Sequence, residues 1–303
     1  ELNCMIKAEN LTKKFSDMTA LDSISCTVES GCIYGMVGSN GSGKSTLLRL
    51  LSGVYKPDGG RATLDGEDIY ENVSAKAKIA FVPDELYYPA GANMDRVAAM
   101  YKSLYPGFDR ERYKNLAKDL NLDRSKSLSM FSKGMRRQAM TVLALAAKPD
   151  YIFFDETFDG LDPVMRNYVK RLICMDVVDR GASAVITSHS LRELEDTCDQ
   201  LALLHKGGIV FESDIQNLRT TRFKIQIAFA GESDYGPERF EGLDIVRFTK
   251  HGSVVNMIVK GDRDETVEKL RAMSPAILDV LPLTLEEVFT YEMEALGYSF
   301  QLD

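Results

Sequence analysis

The nine residues GSNGSGKST (38–46) constrain the fold of this chain more than any other stretch. They follow a compact apolar run, CIYGMV (32–37), and lead into the helical pattern of residues 44–53. A glycine-rich turn between a strand and a helix presents successive N–H groups to an anion, and the helix dipole is directed at the same point. The spacing Gly-x4-Gly-Lys-Ser is that of a loop that cradles phosphates. The stretch therefore predicts a P-loop domain that binds a nucleotide.

The residues of this loop divide the work of phosphate binding. The glycines let the backbone pass close to a phosphate without a Cβ clash. Lys44 supplies positive charge to the β- and γ-phosphates, and the Ser45 hydroxyl is suited to bind Mg²⁺. The loop alone does not choose between kinases, GTPases and ATPases, although the absence of an N-K-x-D stretch weighs against a GTPase. The alternative is a glycine-rich turn with no ligand. The predicted nucleotide-binding residues here are Gly38, Ser39, Asn40, Gly41, Ser42, Gly43, Lys44, Ser45 and Thr46.

Short apolar runs alternate with helical patterns over the first 220 residues. Each run has the length of a strand buried in a parallel sheet, and strands that alternate with helices predict an α/β fold with a mostly parallel sheet. The predicted strands are 32–37, 77–83, 151–156, 182–188 and 200–205. The predicted helices are 44–53, 93–104, 109–120, 134–147, 163–179 and 190–198.

Three segments depart from this alternation. Residues 84–148 lack a convincing strand and predict a helical subdomain inserted between two core strands. Residues 5–36 contain β-like runs with short turns, and we interpret them as an antiparallel β subdomain that extends the sheet. A Gly-Gly hairpin is expected at 205–213, after which the pattern changes to a small α+β domain. We therefore expect one domain over 1–220 and an accessory domain over 221–303. The accessory domain has predicted strands at 222–230 and 253–261 and predicted helices at 264–273 and 284–297.

A pair of carboxylates ends the apolar run YIFFDE (151–156). Asp155, at the tip of a buried strand beside a phosphate loop, is placed to hold Mg²⁺ through its oxygens. Glu156 points the other way and is placed to accept a proton from a water that attacks the γ-phosphate. The alternative is a solvated strand end. The pair favours nucleotide hydrolysis.

Composition excludes several other classes of protein. The chain has 303 residues, of which 45% are hydrophobic and 27% charged, so it can bury a sizeable core. A net charge of -8 argues against nonspecific nucleic-acid binding, which needs clustered Lys and Arg. No stretch approaches the roughly 18 apolar residues of a membrane span. The five cysteines form no C-x-x-C pair and predict free thiols in a reducing cytoplasm.

The order of motifs resembles that of the ATP-binding subunit of an ABC transporter. The resemblance covers about residues 5 to 215: after the phosphate loop (Walker A), FSKGM (131–135) stands where the family carries its signature, usually L-S-G-G-Q. Asp155 and Glu156 resemble Walker B and the catalytic glutamate. The resemblance implies catalytic roles for Glu156, His189 and Lys44. It also implies nucleotide contacts from Phe15 (adenine stacking), from Ser132 and Gly134 of the signature, and from Asp162 of the D-loop GLD (160–162).

Two positions depart from the family pattern. Asp84 stands where the family usually has the glutamine of the Q-loop, and an ionised Asp can only accept hydrogen bonds. We hypothesise that Asp84 approaches Mg²⁺ or its water; a surface aspartate is the alternative. In the signature, Lys133 and Met135 replace Gly and Gln. We expect Lys133 to offset the charge of Asp84.

The resemblance implies partners as well as cofactors. It implies ATP and Mg²⁺, a second ATPase subunit in a homodimer or heterodimer, and integral membrane permease subunits; no nucleic acid is expected. The chain would then lie in the cytoplasm at the inner face of the membrane. The helical subdomain and the loop 84–91, with Tyr87 and Tyr88, are the expected docking surface, although a packed core is an equal alternative for the two tyrosines.

The C-terminal stretch PLTLEEVF (282–289) looks like the tail of ATPases from drug- and antibiotic-export systems. This resemblance favours an ATPase that drives an exporter. Two other functions remain open: a soluble ABC-type ATPase that serves an assembly or repair machine, and a nucleotide-sensing module that hardly hydrolyses ATP. The sequence has no coiled-coil heptads and only one ATPase half, which weighs against the first of these.

Overall fold

A computed structural model of the chain describes residues 5–215, 217, 222–231, 235–281 and 283–295. It divides into two compact units, the first ending at Glu212 and the second beginning at Ser213. The domain boundary expected near 219–222 falls largely on residues outside the described ranges, so the division into 1–220 and 221–303 stays a prediction. None of the helices in the described part of the chain combines the length and hydropathy of a membrane span.

The strands of the first unit form two separate sheets. In chain order they are β1 (Met5–Phe15), β2 (Met18–Glu29), β3 (Ile33–Val37), β4 (Gly59–Leu64), β5 (Glu67–Asp68), β6 (Ile79–Val82), β7 (Tyr151–Phe154), β8 (Ser183–Ser188), β9 (Gln200–His205) and β10 (Gly208–Asp214). The six-stranded sheet has the order β10-β9-β3-β8-β7-β6, and its pairs from β9 through β6 are parallel. This arrangement confirms the expected α/β core, with each predicted buried strand in place.

We expected the antiparallel strands to extend that sheet, but they form a separate sheet. β1 pairs with β2 and β4, and β5 completes a four-stranded sheet of its own. The chain leaves this sheet after β2 through Gly31, whose φ of 71° permits a sharp turn. β3 then enters the parallel sheet between β8 and β9. The antiparallel subdomain is therefore a second sheet, separate from the parallel one.

The helices of the first unit lie between its strands along the chain. They are α1 (Lys44–Leu51), α2 (Val73–Ala77), α3 (Met94–Leu104), α4 (Arg110–Asp119), α5 (Lys133–Ala146), α6 (Pro163–Arg180) and α7 (Leu191–Leu194). Residues 84–148 contain α3, α4 and α5 and, apart from an isolated bridge between Asn93 and Ser127, no strand, so the inserted helical subdomain is confirmed. Asn93, Asp109 and Ser132 cap the three helices through their side-chain oxygens.

Helix α1 fixes the position of the phosphate loop. It contacts β1, β2 and β4 of one sheet and β8 of the other. Its apolar residues Leu47, Leu48, Leu50 and Leu51 are buried in one core cluster with side chains of both sheets. Because burial of each such leucine contributes about 1.5–3 kcal/mol, the start of this helix is held rigidly behind the loop.

The second unit is an antiparallel sheet with helices. Its elements are β11 (Arg222–Ala228), β12 (Asp244–His251), β13 (Val254–Lys260), α8 (Arg263–Ala272), β14 (Ile277–Leu281) and α9 (Leu285–Ala295). The strand order is β12-β13-β11-β14, and its core contains Ile225, Val255 and the aromatic side chains of Phe229, Tyr235 and Phe240. The α+β prediction is confirmed, although the sequence pattern missed β12 and β14.

Candidate nucleotide site

The phosphate loop joins the end of β3 to the start of α1. Gly41 and Gly43 have φ values of 78° and 107°, which side-chain-bearing residues rarely adopt. A Cβ at Gly38 would lie 2.4 Å from the carbonyl oxygen of Leu204, so only glycine fits there. Lys44 Nζ crosses the loop and donates to the Gly38 carbonyl (2.7 Å) and the Ser39 carbonyl (3.2 Å). The loop is therefore pre-formed around the buried ammonium group of Lys44.

A cavity of about 410 Å³ opens above this loop. That volume lies in the range of small-molecule sites. Of the residues predicted from the loop sequence, Gly38 and Ser39 lie outside the cavity lining. The lining comprises Phe15, Met18, Thr19, Ala20, Asn40, Gly41, Ser42, Gly43, Lys44, Ser45, Thr46, Asp84, Glu156, Lys206 and Gly207.

Phe15 forms part of one wall of the cavity. It ends β1, and the turn to β2 passes through Ser16 in a left-handed conformation with φ of 50°. The ring packs edge-on against Tyr55, with centroids 5.6 Å apart, and Lys13 Nζ lies 5.4 Å from its centroid. The ring remains 38% exposed. A supported but exposed aromatic ring suits stacking on a flat heterocycle.

Asp155 lies fully buried at the end of β7. Its Oδ1 accepts hydrogen bonds from Ser45 Oγ (2.9 Å) and Thr187 Oγ1 (2.8 Å), while Oδ2 is buried without a partner. Burial raises the pKa of the Asp155 carboxyl, and the hydrogen bonds from Thr187 and Ser45 oppose that rise. An unsatisfied carboxylate oxygen beside a serine hydroxyl fits a hard cation such as Mg²⁺.

No group of three or more His, Cys, Asp or Glu side chains that could hold a metal occurs in the described ranges. Mg²⁺ is usually bound by one or two carboxylates together with substrate phosphates, and the Asp155 carboxylate with the Ser45 hydroxyl is suited to form the protein's part of such a site.

The two oxygens of the Glu156 carboxylate each lie close to one side-chain nitrogen. Lys44 Nζ lies 3.3 Å from Oε1, and His189 Nδ1 lies 3.0 Å from Oε2. Glu156 follows β7 and His189 follows β8, and these strands are parallel neighbours, so both residues emerge at the same edge of the sheet. The Glu156 N–H donates to Thr187 Oγ1 (3.0 Å). The arrangement places a carboxylate, a lysine and an imidazole next to a phosphate loop.

Known proteins are similar to this chain in sequence and in fold. The family model described as ABC transporter matches residues 21–159. The ABC transporter ATP-binding protein YtrB of Bacillus subtilis is 30% identical over 285 residues, which cover 94% of this chain and 97% of the relative. The chain belongs to the ABC transporter family of ATP-binding proteins. It is an ATPase subunit: members of this family bind and hydrolyse ATP, dimerise, and work with membrane permease components.

One further relative and one solved structure are also similar to this chain. The daunorubicin/doxorubicin resistance ATP-binding protein DrrA of Streptomyces peucetius is 30% identical over 223 residues, covering 71% of this chain and 67% of that protein. A dimeric ATP-binding cassette in a post-hydrolysis state, bound to ADP and Pi, superposes with a TM-score of 0.63 at 22% identity. That likeness covers 69% of this chain and 98% of the cassette, and confirms the fold.

The signature segment of this ABC subunit lies outside the cavity lining. Ser132 is the N-cap of α5 and accepts a hydrogen bond from the Met135 N–H (3.2 Å), which confirms the expected cap. A Cβ at Gly134 would lie 2.8 Å from the Gly160 carbonyl oxygen, so the signature packs against the D-loop. Asp162 caps α6 in the same way. Nucleotide contacts from Ser132, Gly134 and Asp162 stay predictions.

Asp84 has a different partner from the one the sequence led us to expect. Its carboxylate lines the cavity and accepts a hydrogen bond from the buried guanidinium of Arg137 on α5. Arg137 also donates to the main-chain carbonyl of Glu156. Within the chain Lys133 is paired with Asp159 at 2.8 Å, and our expectation that Lys133 offsets Asp84 in the dimer stays a prediction. The charge of Asp84 is offset by Arg137, and its role at Mg²⁺ stays a prediction.

Sequence reasoning also missed one wall of the cavity. The hairpin between β9 and β10 was expected, but its turn is Lys206-Gly207, with φ values of 45° and 79°. The Gly207 N–H donates to the Ser42 carbonyl (3.1 Å), and the Gly207 carbonyl accepts from the Asp22 N–H (3.0 Å). A Cβ at Gly207 would lie 2.7 Å from the Ala20 carbonyl oxygen. The Gly-Gly pair signalled a turn, but not its contact with the phosphate loop.

The two tyrosines of the loop 84–91 differ in environment. Tyr87 is 84% exposed, which excludes the packed-core alternative for this residue. Tyr88 is half-buried, and its hydroxyl accepts a hydrogen bond from Arg136 (3.2 Å). An exposed aromatic side chain beside the cavity is suited to an interface with another protein.

Proposed function

We propose that this ATPase subunit drives export through separate membrane permease subunits. The observation that carries the proposal is the Glu156 carboxylate, held between Lys44 and His189 beside the phosphate loop. Support for the direction of transport comes from the relative DrrA, whose name describes resistance to daunorubicin and doxorubicin. In this proposal the chain lies at the cytoplasmic face of the membrane through contact with its permease, with Tyr87 and the loop 84–91 at that contact.

ATP binds with its base against Phe15 and its phosphates in the Walker A loop. Lys44 neutralises charge on the β- and γ-phosphates, and the loop N–H groups and the α1 dipole add to this stabilisation. Ser45 and Asp155, which are hydrogen-bonded to each other, would hold Mg²⁺, and Ser45 lines the cavity together with Asp84. When bound, the cation neutralises the charge that develops on the transferring phosphoryl group.

Glu156 acts on the attacking water. Its carboxylate accepts the water proton while His189, within hydrogen-bond distance, holds the carboxylate and the γ-phosphate in place. Breaking the bond to the γ-phosphate then requires no covalent intermediate with the protein, since positioning and electrostatics supply the rate.

A second ATPase subunit completes the site. In this proposal, Ser132, the Gly134 N–H and the start of α5 face the γ-phosphate that the partner's loop holds. Their position outside the cavity lining of their own chain leaves them available for that contact. A helix N-terminus with a serine cap is well suited to an anion. Closure on ATP and opening after hydrolysis supply the mechanical step for the permease.

Two measurements test this proposal. Tagged subunit purified from its native membranes is expected to carry with it a protein with several membrane spans. In inverted membrane vesicles that contain this complex, ATP is expected to drive uptake of amphipathic drugs such as daunorubicin, and the Glu156→Gln variant is expected to abolish it.

Each measurement also has an outcome that rejects part of the proposal. Recovery of soluble partners alone would replace export with a non-transport ATPase role. Equal, negligible ATP turnover by wild type and Glu156→Gln would indicate a nucleotide sensor.

A further inference from the structure

Arg137 lies at the centre of the site but outside the cavity. It sits on α5 with its side chain 1% exposed. One terminal nitrogen donates to the Asp84 carboxylate and lies 3.7 Å from Asp159 Oδ2, and the other donates to the main-chain carbonyl of Glu156. The planar guanidinium reaches groups from two separate segments at once, which a single ammonium cannot do.

The contact with Glu156 acts on a strained backbone. Glu156 has a φ of 48°, a left-handed conformation that residues with a side chain seldom adopt. Its N–H donates to Thr187 and its C=O accepts from Arg137, so the residue is held from both sides. Such conformations persist only where surrounding contacts over-determine them. Without Arg137, one of these two main-chain contacts is gone, and the strained backbone that directs the carboxylate towards Lys44 and His189 is free to relax.

The same helix contacts this segment a second time. Lys133 is one helical turn before Arg137, and it pairs with Asp159 at 2.8 Å. Residues four apart lie on one helix face. Helix α5 is therefore fastened to the segment 156–159 by two cations, and Arg137 alone also joins it to Asp84, at the start of the helical subdomain.

Asp84 and Arg137 are complementary in charge. Asp84 is 46% exposed and can be solvated by water when its partner is removed, whereas Arg137 cannot. A buried charge that has lost its partner is strongly unfavourable, while a neutral pair of similar shape is tolerated. Arg137 thus requires an acidic partner, and Asp84, which stands where the family usually has a glutamine, supplies that charge.

We propose that Arg137 is a positioning residue for ATP hydrolysis, which holds Glu156 in its strained conformation and requires Asp84 as its counter-charge. This inference rests on the proposed role of Glu156. Arg137 is not part of the cavity lining; it acts through the Glu156 main chain and through the Asp84 carboxylate.

A double-mutant cycle with the full-length subunit tests this proposal. Arg137→Gln is expected to lower kcat about 100-fold with KM within about threefold, because misplacing a catalytic group by an ångström costs that much. Asp84→Gln is expected to lower kcat and the melting temperature, since it removes the hydrogen-bonded counter-charge of a buried guanidinium and leaves only Asp159, 3.7 Å away. The double variant Asp84→Gln/Arg137→Gln is expected to regain the melting temperature lost in Asp84→Gln, because no buried charge has lost its partner, while its kcat stays near that of Arg137→Gln.

Two further variants complete the design. Arg136→Gln is the matched control, since its neighbouring guanidinium contacts only Tyr88 among the contacts described above, and its kcat is expected within about twofold of wild type. Arg137→Lys keeps the charge but not the fork, and is expected to remain about tenfold below wild type. ATP affinity and thermal unfolding are measured on every variant to separate positioning from misfolding.

The outcomes are distinct. A double variant no more stable than Asp84→Gln overturns the coupling of Arg137 to Asp84. Normal kcat in Arg137→Gln overturns the positioning role. Should Asp84→Gln fail to fold, a folded double variant supports the coupling and an unfolded one overturns it. Full activity in a parallel Glu156→Gln variant would instead reject the proposed role of Glu156.

Discussion

The Nδ1 atom of His189 lies 3.0 Å from Oε2 of Glu156, although 33 residues separate them in the chain. The pair is brought together by the parallel pairing of β7 with β8. The other oxygen of the same carboxylate lies 3.3 Å from Lys44 Nζ. Two polar groups from two other chain segments, the Lys44 ammonium and the His189 imidazole, therefore meet at the Glu156 carboxylate.

Replacing the Glu156 carboxylate by an amide is expected to stop hydrolysis without preventing ATP binding. Glu156→Gln keeps the size of the side chain but removes the proton acceptor, and loss of a general base costs about 10²- to 10⁴-fold in rate. Phosphate release measures the rate, and a fluorescent ATP analogue measures the affinity. A rate within tenfold of wild type would contradict this role.

Removing the Phe15 ring is expected to weaken ATP binding. Stacking of a base on an aromatic side chain is worth about 1–3 kcal/mol, so Phe15→Ala should raise the Kd for ATP about tenfold. Titration of the nucleotide-free subunit measures this change. Tyr70→Ala is the matched control, because Tyr70 also carries a lysine over its ring at 5.5 Å but does not line the cavity. Equal effects of the two substitutions would reject adenine stacking.

Ser132 is expected to serve as both a cap and a ligand for the partner's nucleotide. Ser132→Ala should destabilise the fold by about 1 kcal/mol, as should Asn93→Ala at the start of α3, since both remove an N-cap acceptor. Ser132→Arg should leave ATP affinity unchanged and lower hydrolysis by about 100-fold or more, because it blocks closure of the dimer and removes an electrostatic contact.

Thermal unfolding, ATP titration and dimerisation on ATP distinguish the two roles of Ser132. If Ser132→Arg hydrolyses ATP at the normal rate, Ser132 is a cap alone.

Asp155→Asn is expected to stabilise the nucleotide-free subunit at neutral pH while reducing hydrolysis. Burial raises the pKa of Asp155 above its unfolded value. Ionisation of Asp155 therefore lowers the free energy of unfolding, with its full effect at pH values above that raised pKa. The asparagine keeps an oxygen that can accept from Ser45 and Thr187 but has no charge to bury. Hydrolysis should fall by about 100-fold or more, because charge neutralisation by a metal is worth several kcal/mol.

The sign of this effect can be checked by pH. As the pH falls below the raised pKa, folded wild-type Asp155 takes up its proton, and the penalty shrinks until it is gone below the unfolded-state pKa. The difference in melting temperature between the variant and wild type should therefore shrink on acidification. A difference that stays constant, or a variant that is less stable at neutral pH, would show that burial of the Asp155 charge does not limit stability.

The strands of the core could be predicted because each is buried on both faces and reads as an uninterrupted apolar run. β12 could not, since a register shift between Ile245 and Arg247 breaks the two-residue alternation that marks a strand. β14 alternates only between exposed and half-buried residues, so it carries no strong apolar signal. Burial that is partial, or that is interrupted by a bulge, is visible only when the neighbouring strands are in place.

The sequence alone determined the phosphate loop, the carboxylates at the end of β7 and the cap of α5, because each depends on residues close together in the chain. Only the tertiary structure decided that Arg137, 53 residues after Asp84, pairs with it and fastens the Glu156 carbonyl. Helix periodicity gives the buried face of α5, but not which strand ends meet that face. The packing of the helical subdomain against the sheet determines that contact, and with it the partner of each charge.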